Sequence, residues 1–201
     1  MKLLTLTLLL GTLLAIGAAF KALPQTQAKI ENFTLTDVVS NQPVSLRDYK
    51  ASRGVVLVFT SHSCPYAKLY EGRITHLANE FKSSGIQFLL INSNTAADDN
   101  SDSIEQMAAM ARQKGYAFPY LADKEHKVAG LFGASKTPEV FVLQNNGEVF
   151  TLKYRGAIDD NPQIPNDVSV NYLKQAIQAV LGKENLSIAD RRPTGCMIKK
   201  E

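Results

Sequence analysis

The chain has 201 residues, 45% of them hydrophobic, enough for one well-buried domain and short for two. Twenty-two Lys and Arg against 19 Asp and Glu leave a formal charge of +3, and no run of basic residues appears, which excludes a nucleic-acid-binding face. Two cysteines, Cys64 and Cys196, are too few for a disulfide scaffold, so the domain must stand on its apolar core.

At the N-terminus, Lys2 is followed by "LLTLTLLLGTLLAIGAAF", 18 uncharged residues from Leu3 to Phe20, and then by small residues and Pro24. A positive start, an apolar stretch and small residues before a cut are the marks of a secretory signal. Cleavage is expected after Ala19 or Ala28; a cut after Ala28 removes Lys2 and Lys21 and lowers the charge by two, to +1. The apolar run also just reaches the length that spans a bilayer. Residues 1–28 are therefore read as a signal peptide or an uncleaved membrane anchor, the only membrane contact expected. The segment has no cysteine for a lipid anchor. The expected location is outside the cytoplasm, in the periplasm or cell envelope.

"FTLTDVVSNQPVSLRDY", Phe33 to Tyr49, alternates apolar and polar residues around a turn-forming "SNQP", the pattern of a β-hairpin or of a strand with a loop. "GVVLVFT" from Gly54 is an unbroken β-branched run, as befits a central strand buried on both faces. From Pro65, residues Leu69, Tyr70, Ile74, Leu77 and Phe81 form a helical stripe, and Gly85 ends it. "IQFLLIN" is a second buried strand. The polar loop "NTAADDNSD" carries capping residues into a helix through Gln113, stopped by Gly115. "FPYLAD" is extended, and "KEHKVAGLFG" is a short helix closed by Gly133. "EVFVLQ", "NNGE" and "VFTLKY" make a hairpin with Asn-Gly at its tip. Val170, Leu173, Ile177, Val180 and Leu181 mark a last helix before a tail ending "TGCMIKKE".

The order is β, β, α, β, α, β, α, β, β, α. It predicts an α/β domain with a mixed sheet and helices on both faces. No repeat or linker divides it. One domain over residues 29–185 is expected, followed by a tail, 186–201, that carries Cys196.

Cys64 stands where the strand "VVLVF" runs into a helix. Pro65 suits the first helical position, because it has no N–H to leave unpaired and its φ is already helical. Amides at a helix N-terminus, with the helix dipole, stabilise a thiolate and lower the cysteine pKa. His62 and Lys68 are candidates to add positive charge, and Ser61 to add a hydroxyl. Cys196, preceded by Pro193, Thr194 and Gly195, sits in a stretch expected to be mobile.

"FTSHSCPYAK" in this setting resembles the active-site segment of the thioredoxin superfamily. "FTLTDVVSNQPVSLRDY" is similar to the N-terminal hairpin of its redoxin branch, which includes the alkyl hydroperoxide reductase/thiol-specific antioxidant and ResA-like proteins. "KTPEVFVLQNNGEV" is similar to the segment that carries the superfamily's cis-proline. "YRGAIDDNPQ" and "GCMIKK" resemble a redoxin subgroup with a Cys-Pro-Tyr-x-x active site. Together these motifs cover the chain from Phe33 to its end. The resemblance implies a thioredoxin-like three-layer α/β/α fold with a mixed central sheet and an N-terminal β-hairpin extension. It implies a thiol-based oxidoreductase with Cys64 as nucleophile. Pro65, Tyr66, Thr137 and Pro138 would line the substrate groove, with Thr137–Pro138 facing Cys64. No cofactor and no resident metal are expected. The partner would be a thiol or disulfide protein, or a peroxide.

Two departures bear on the activity. A Cys-x-x-Cys reductase would have cysteine at position 67, where this chain has Ala67. The peroxiredoxin pattern Pro-x-x-x-Thr-x-x-Cys would need proline and threonine where Leu57 and Ser61 stand. Thiol–disulfide exchange and peroxide reduction therefore both remain open. Cys196 is a resolving cysteine, a permanent staple or a free thiol. Cys64 itself has the bland reading of a small buried apolar residue. Arg155 is a candidate to steady a thiolate or a peroxide, or simply a surface arginine. "AIDDN" reads as a turn rather than a metal loop, and His76 and His126 as surface or rim residues. The alternatives outside redox enzymology are a copper chaperone using His62, Cys64 and Cys196, and a non-enzymatic domain holding extended peptides.

Overall fold

The computed structural model describes residues 29–95, 101–147, 149–184, 186 and 189–199. The signal or anchor segment read at residues 1–28 lies outside them. Among the described residues no helix is long and apolar enough to cross a membrane.

The two most apolar runs of the described residues lie side by side at the centre. β3 (Gly54–Phe59) and β4 (Ile86–Asn92) pair in parallel, and Val55 to Phe59 are wholly buried. Alternate side chains of a strand point to opposite faces. Val56 and Val58 accordingly join one core cluster, and Val55, Leu57 and Phe59 the other. β5 (Tyr120–Ala122) continues the parallel pairing on β4. β7 (Glu139–Asn145) lies antiparallel on β3, and β8 (Phe150–Gly156) returns beside it through the Asn-Gly turn, where Gly147 takes φ +75°. β1 (Thr34–Asp37) and β2 (Pro43–Ser45) form the expected N-terminal hairpin, attached antiparallel to β5. The sheet has seven strands in the order β2-β1-β5-β4-β3-β7-β8. β6 (Lys136–Thr137) stands outside it and pairs with β9 (Cys196–Met197).

One face of the sheet is covered by α1 (Pro65–Lys82), α2 (Ile104–Lys114) and α4 (Tyr172–Gly182), through Tyr70, Ile74, Met107, Leu173 and Ile177. The other is covered by α3 (Lys127–Phe132) and the 3-10 turn Leu46–Tyr49, through Val128, Phe132 and Leu46. This is the expected three-layer α/β/α arrangement with a mixed sheet. Local chemistry sets the helix ends. Ser103 caps α2 by accepting from the Gln106 N–H, and Gly115 closes it in the left-handed region at φ +62°. Asn171 caps α4 by accepting from the Lys174 N–H.

Four details differ from the pattern read in the sequence. The buried stripe of α1 is Ala67, Tyr70, Ile74, Leu77, Ala78 and Phe81. Leu69, one residue round from Tyr70, is left 46% exposed. His126 precedes α3 in the left-handed region, at φ 54°, rather than lying within it. Val170 precedes α4. The tail, expected to be mobile, is seated as β9, antiparallel on β6 with Thr137 opposite Cys196. A two-residue strand carries no periodicity of its own, so its existence depends on tertiary contacts.

Candidate active site at the mouth of α1

Cys64 is the N-cap of α1 (φ −79°, ψ 121°), with Pro65 as the first helical residue and the Cys64 carbonyl accepting the Lys68 N–H. It is 3% exposed and disulfide-bonded to Cys196, with the two Cα atoms 6.0 Å apart, inside the range that unstrained bridges occupy. Of the three roles open to Cys196, the free thiol is thereby removed. The Cys64 Sγ also lies 3.1 Å from the Thr137 carbonyl oxygen. In the disulfide there is no S–H to donate, so this is a contact rather than a hydrogen bond.

Thr137–Pro138 is a cis peptide, and both residues are buried. The loop is braced by Glu139, 6% exposed, whose Oε2 accepts the N–H groups of Ser135 (2.8 Å) and Lys136 (3.1 Å). Its opposite side is held by the tail. Ile198 N–H donates to the Ser135 carbonyl at 2.9 Å, and Lys136 Nζ to the Gly195 carbonyl at 3.2 Å. Gly195 permits this approach, since a Cβ there would stand 2.2 Å from the Thr137 carbonyl oxygen.

The loop entering Cys64 is organised by a carboxylate that the linear sequence does not advertise. Asp102, 1% exposed, accepts from the Ser61 hydroxyl (2.7 Å), the Ser63 hydroxyl, the His62 backbone N–H (3.0 Å) and Asn92 Nδ2 (2.8 Å). His62 Nδ1 stands 3.0 Å from its Oδ1, near enough for an ion pair, although the ring N–H is not aimed along a hydrogen-bond direction. Burial alone would raise the Asp102 pKa, but the bonds from His62, Ser63, Ser61 and Asn92 outweigh it and hold the carboxyl well below the usual carboxylate range. A continuous chain of bonds then reaches the tail. Asn92 Oδ1 accepts the Asn94 N–H, and Asn94 Oδ1 accepts the Lys199 N–H. The end of β4 thus pins the loop before Cys64 and the strand carrying Cys196.

The remaining candidate residues are distributed as follows. Pro65 is exposed and Tyr66 half-buried at the start of α1. Lys68 is exposed on α1, beside the open groove that His62, Glu71 and Lys114 also line. Ser61 and His62 are turned to Asp102. Arg155 is engaged elsewhere: its Nε bonds Asp190 Oδ2 at 2.8 Å, on the surface, and helps strap residues 190–191 to the end of β8. The strap passes so close to Gly156 (φ +131°) that a Cβ there would lie 1.8 Å from the Arg191 carbonyl oxygen. "AIDDN" is a latch on α1. Asp159, 4% exposed, accepts from Tyr70 Oη and Arg73 Nη1, each at 2.7 Å. Burial, with the bond to Asp159, drives the Tyr70 pKa far up, so its phenol stays protonated. Between this latch, Pro138 and the strap lies a cavity of about 210 Å³, which Tyr172 and Thr194 also line. Among the described residues no cluster of three or more His, Cys, Asp or Glu is arranged to hold a metal ion.

Asp102, Asn94 and Glu139 escaped the linear reading, because their partners lie far along the chain or in backbone groups. Asp102 sits in "NSDS", which reads equally well as capping residues; only the fold shows that Ser103 is the cap and that Asp102 turns back to Ser61–Ser63.

Known proteins resemble this chain in sequence and in fold. The family model described as AhpC/TSA matches residues 26–151. A thiol-disulfide oxidoreductase ResA from Bacillus thuringiensis is 26% identical over 118 residues, 59% of this chain and 63% of that protein. The match thus spans less than two thirds of that relative's length. An uncharacterized conserved protein from Geobacillus kaustophilus, known as a crystal structure, is 30% identical with a TM-score of 0.78, over 87% of this chain and 92% of that one. A hypothetical protein from Sinorhizobium meliloti is 29% identical with a TM-score of 0.77, over 86% and 92%. A putative thiol:disulfide interchange protein DsbE from Chlorobium tepidum, 23% identical with a TM-score of 0.56 over 78% and 97%, shares the thioredoxin-like fold.

Proposed function

The chain belongs to the AhpC/TSA family, and from that membership and the Cys64–Cys196 bond we propose that it is a thiol-based oxidoreductase acting by thiol–disulfide exchange. Cys64 is the attacking thiolate and Cys196, delivered by the tail, is the resolving cysteine. The bond itself carries the reading: the partner missing at Ala67 is replaced by a cysteine 132 residues away. In the reduced protein the Cys64 thiolate attacks a partner disulfide. A Cys64–partner bond forms, the partner's S–S bond breaks, and its second sulfur leaves as a thiolate. Cys196 then attacks Cys64, releasing the partner as a dithiol and restoring Cys64–Cys196. Two electrons pass from the pair to the partner, and the reverse sequence oxidises a partner dithiol. The start of α1 favours negative charge on Cys64, both when it attacks and when it leaves.

Peroxide reduction is less well served. Ser61 and Arg155, the donors that would steady a peroxide, are bonded to Asp102 and Asp190. Pro65, Tyr66, Thr137 and Pro138 are the groove residues in this reading. His62 and Lys68 are the candidates for tuning the thiolate in this reading. Residues 1–28 direct or anchor the protein outside the cytoplasm, where a disulfide persists; residues 29–185 form the redoxin domain and 186–201 the tail.

The test is reduction of the insulin disulfides by dithiothreitol. Wild type accelerates it and Cys64→Ser does not; reduced Cys196→Ser, mixed with insulin once the dithiothreitol has been removed, is trapped as a mixed disulfide through Cys64. Hydrogen peroxide consumption above that of free cysteine, with insulin untouched, would replace exchange by a peroxidase.

A further inference from the structure

We propose that β9 occupies the seat of the protein partner. On reduction, the edge of Ser135–Thr137 receives an extended partner segment with glycine immediately before its cysteine and an aliphatic residue two positions after. This rests on the exchange reading above and extends it to the partner's local chemistry.

The seat is defined residue by residue. β6 lies outside the seven-stranded sheet, and among the described residues its strand partner is β9. The register sets Cys196 opposite Thr137 and Met197 opposite Lys136, and the Ile198 N–H reaches the Ser135 carbonyl. The position before the cysteine admits no side chain. A Cβ on Gly195 would meet the Thr137 carbonyl oxygen at 2.2 Å and its carbon at 2.7 Å, and these are backbone atoms that cannot swing away. The position after the cysteine is indifferent, since Met197 is 58% exposed. The next is selective: Ile198 is 6% exposed and joins the core cluster of Phe59, Phe132 and Phe141.

Cleaving the disulfide leaves the tail held there by backbone bonds, by the bonds of Lys136 Nζ to Gly195 and of Lys199 N–H to Asn94, and by one buried side chain. When it lifts, the Ser135 carbonyl loses the Ile198 N–H and the space of Ile198 opens to water, the latter unfavourable. An extended segment of the same pattern repairs both losses by strand addition and brings its own cysteine to the Cys64 thiolate. Tail and partner therefore exclude one another. The return of β9 brings Cys196 to the mixed disulfide and displaces the product strand.

The test uses the full chain bearing Cys196→Ser, reduced, against three peptides. Their sequences are Gly-Cys-Met-Ile, Ala-Cys-Met-Ile and Gly-Cys-Met-Asp, each with its cysteine disulfide-linked to thionitrobenzoate. The coloured thiol released by attack of Cys64 on the peptide sulfur gives the rate, and a docked tail slows all three alike. The Gly-Cys-Met-Ile peptide should react roughly tenfold faster than the other two, the ratio that a difference of about 1.4 kcal/mol produces. Equal rates for all three, faster than their reaction with free cysteine, would overturn the seat while leaving exchange intact. Rates no faster than free cysteine would overturn exchange and the seat with it.

Discussion

Replacing Asp102 separates the contribution of its charge from that of its shape. The carboxylate is 1% exposed and takes donors from Ser61, His62, Ser63 and Asn92. In Asp102→Asn the amide oxygen can keep the N–H donors of His62 and Asn92, while the Ser61 and Ser63 hydroxyls turn to accept from the new NH₂. The bonds survive in number and lose their charge assistance, about 1 kcal/mol each, so the loss should be about 2–4 kcal/mol. Asp102→Ala leaves those donors buried without an acceptor, at about 1–3 kcal/mol per group, and should cost clearly more. The effect depends on pH in a defined direction. The folded pKa of Asp102 is depressed, so its stabilisation is complete above the unfolded value of about 3.9 and drains away as pH falls toward the folded one. The gap between wild type and Asp102→Asn should therefore narrow as the pH is lowered below about 4. Urea unfolding of the oxidised proteins between neutral and acid pH measures both quantities. An Asp102→Ala protein no less stable than Asp102→Asn, or a gap that does not change with pH, would refute the reasoning.

Arg73→Ala strips the cation from the buried Asp159, whose remaining partners are Tyr70 Oη and the Asn161 N–H, and should cost about 3–5 kcal/mol in urea unfolding. Tyr70→Phe removes a single bond to that carboxylate and should cost less, about 1.5–3 kcal/mol. Asp190→Ala breaks an ion pair in which both side chains are 53% exposed, so stability should change by less than about 1 kcal/mol. Gly195→Ala forces the tail away from Thr137 and should make Cys64–Cys196 about tenfold or more easier to reduce, as measured by equilibration with glutathione.

How much of this was legible in the linear chain follows from the range of each interaction. β3 and β4 declare themselves because no side of them meets water, and unbroken β-branched runs have few other uses. The ends of α2 and the turn after β7 are equally plain, because Ser103, Gly115 and Gly147 act on backbone within a few residues. Cys64 and Pro65 mark the helix mouth for the same reason, and the resemblance of the surrounding segments placed Thr137–Pro138 opposite them. The facts that required the fold join distant residues. Nothing near Asp102 points to Ser61, 41 residues away. Nothing near Cys196 selects among staple, resolver and free thiol until β9 is seen seated on β6. Arg155 illustrates the converse: its charge suggested a role beside the thiol, and Asp190 on the returning tail engages it.

Exchange with other disulfides requires Cys64 and Cys196 to form one reversible couple. Folded protein should be equilibrated across a series of reduced-to-oxidised dithiothreitol ratios, alkylated, and mapped by peptide mass. A single two-electron transition is expected, in which Cys64 and Cys196 become alkylatable together in protein that stays folded throughout. A bond that yields only when the chain unfolds would make Cys196 a permanent staple, and cysteines that alkylate independently would dissolve the pair.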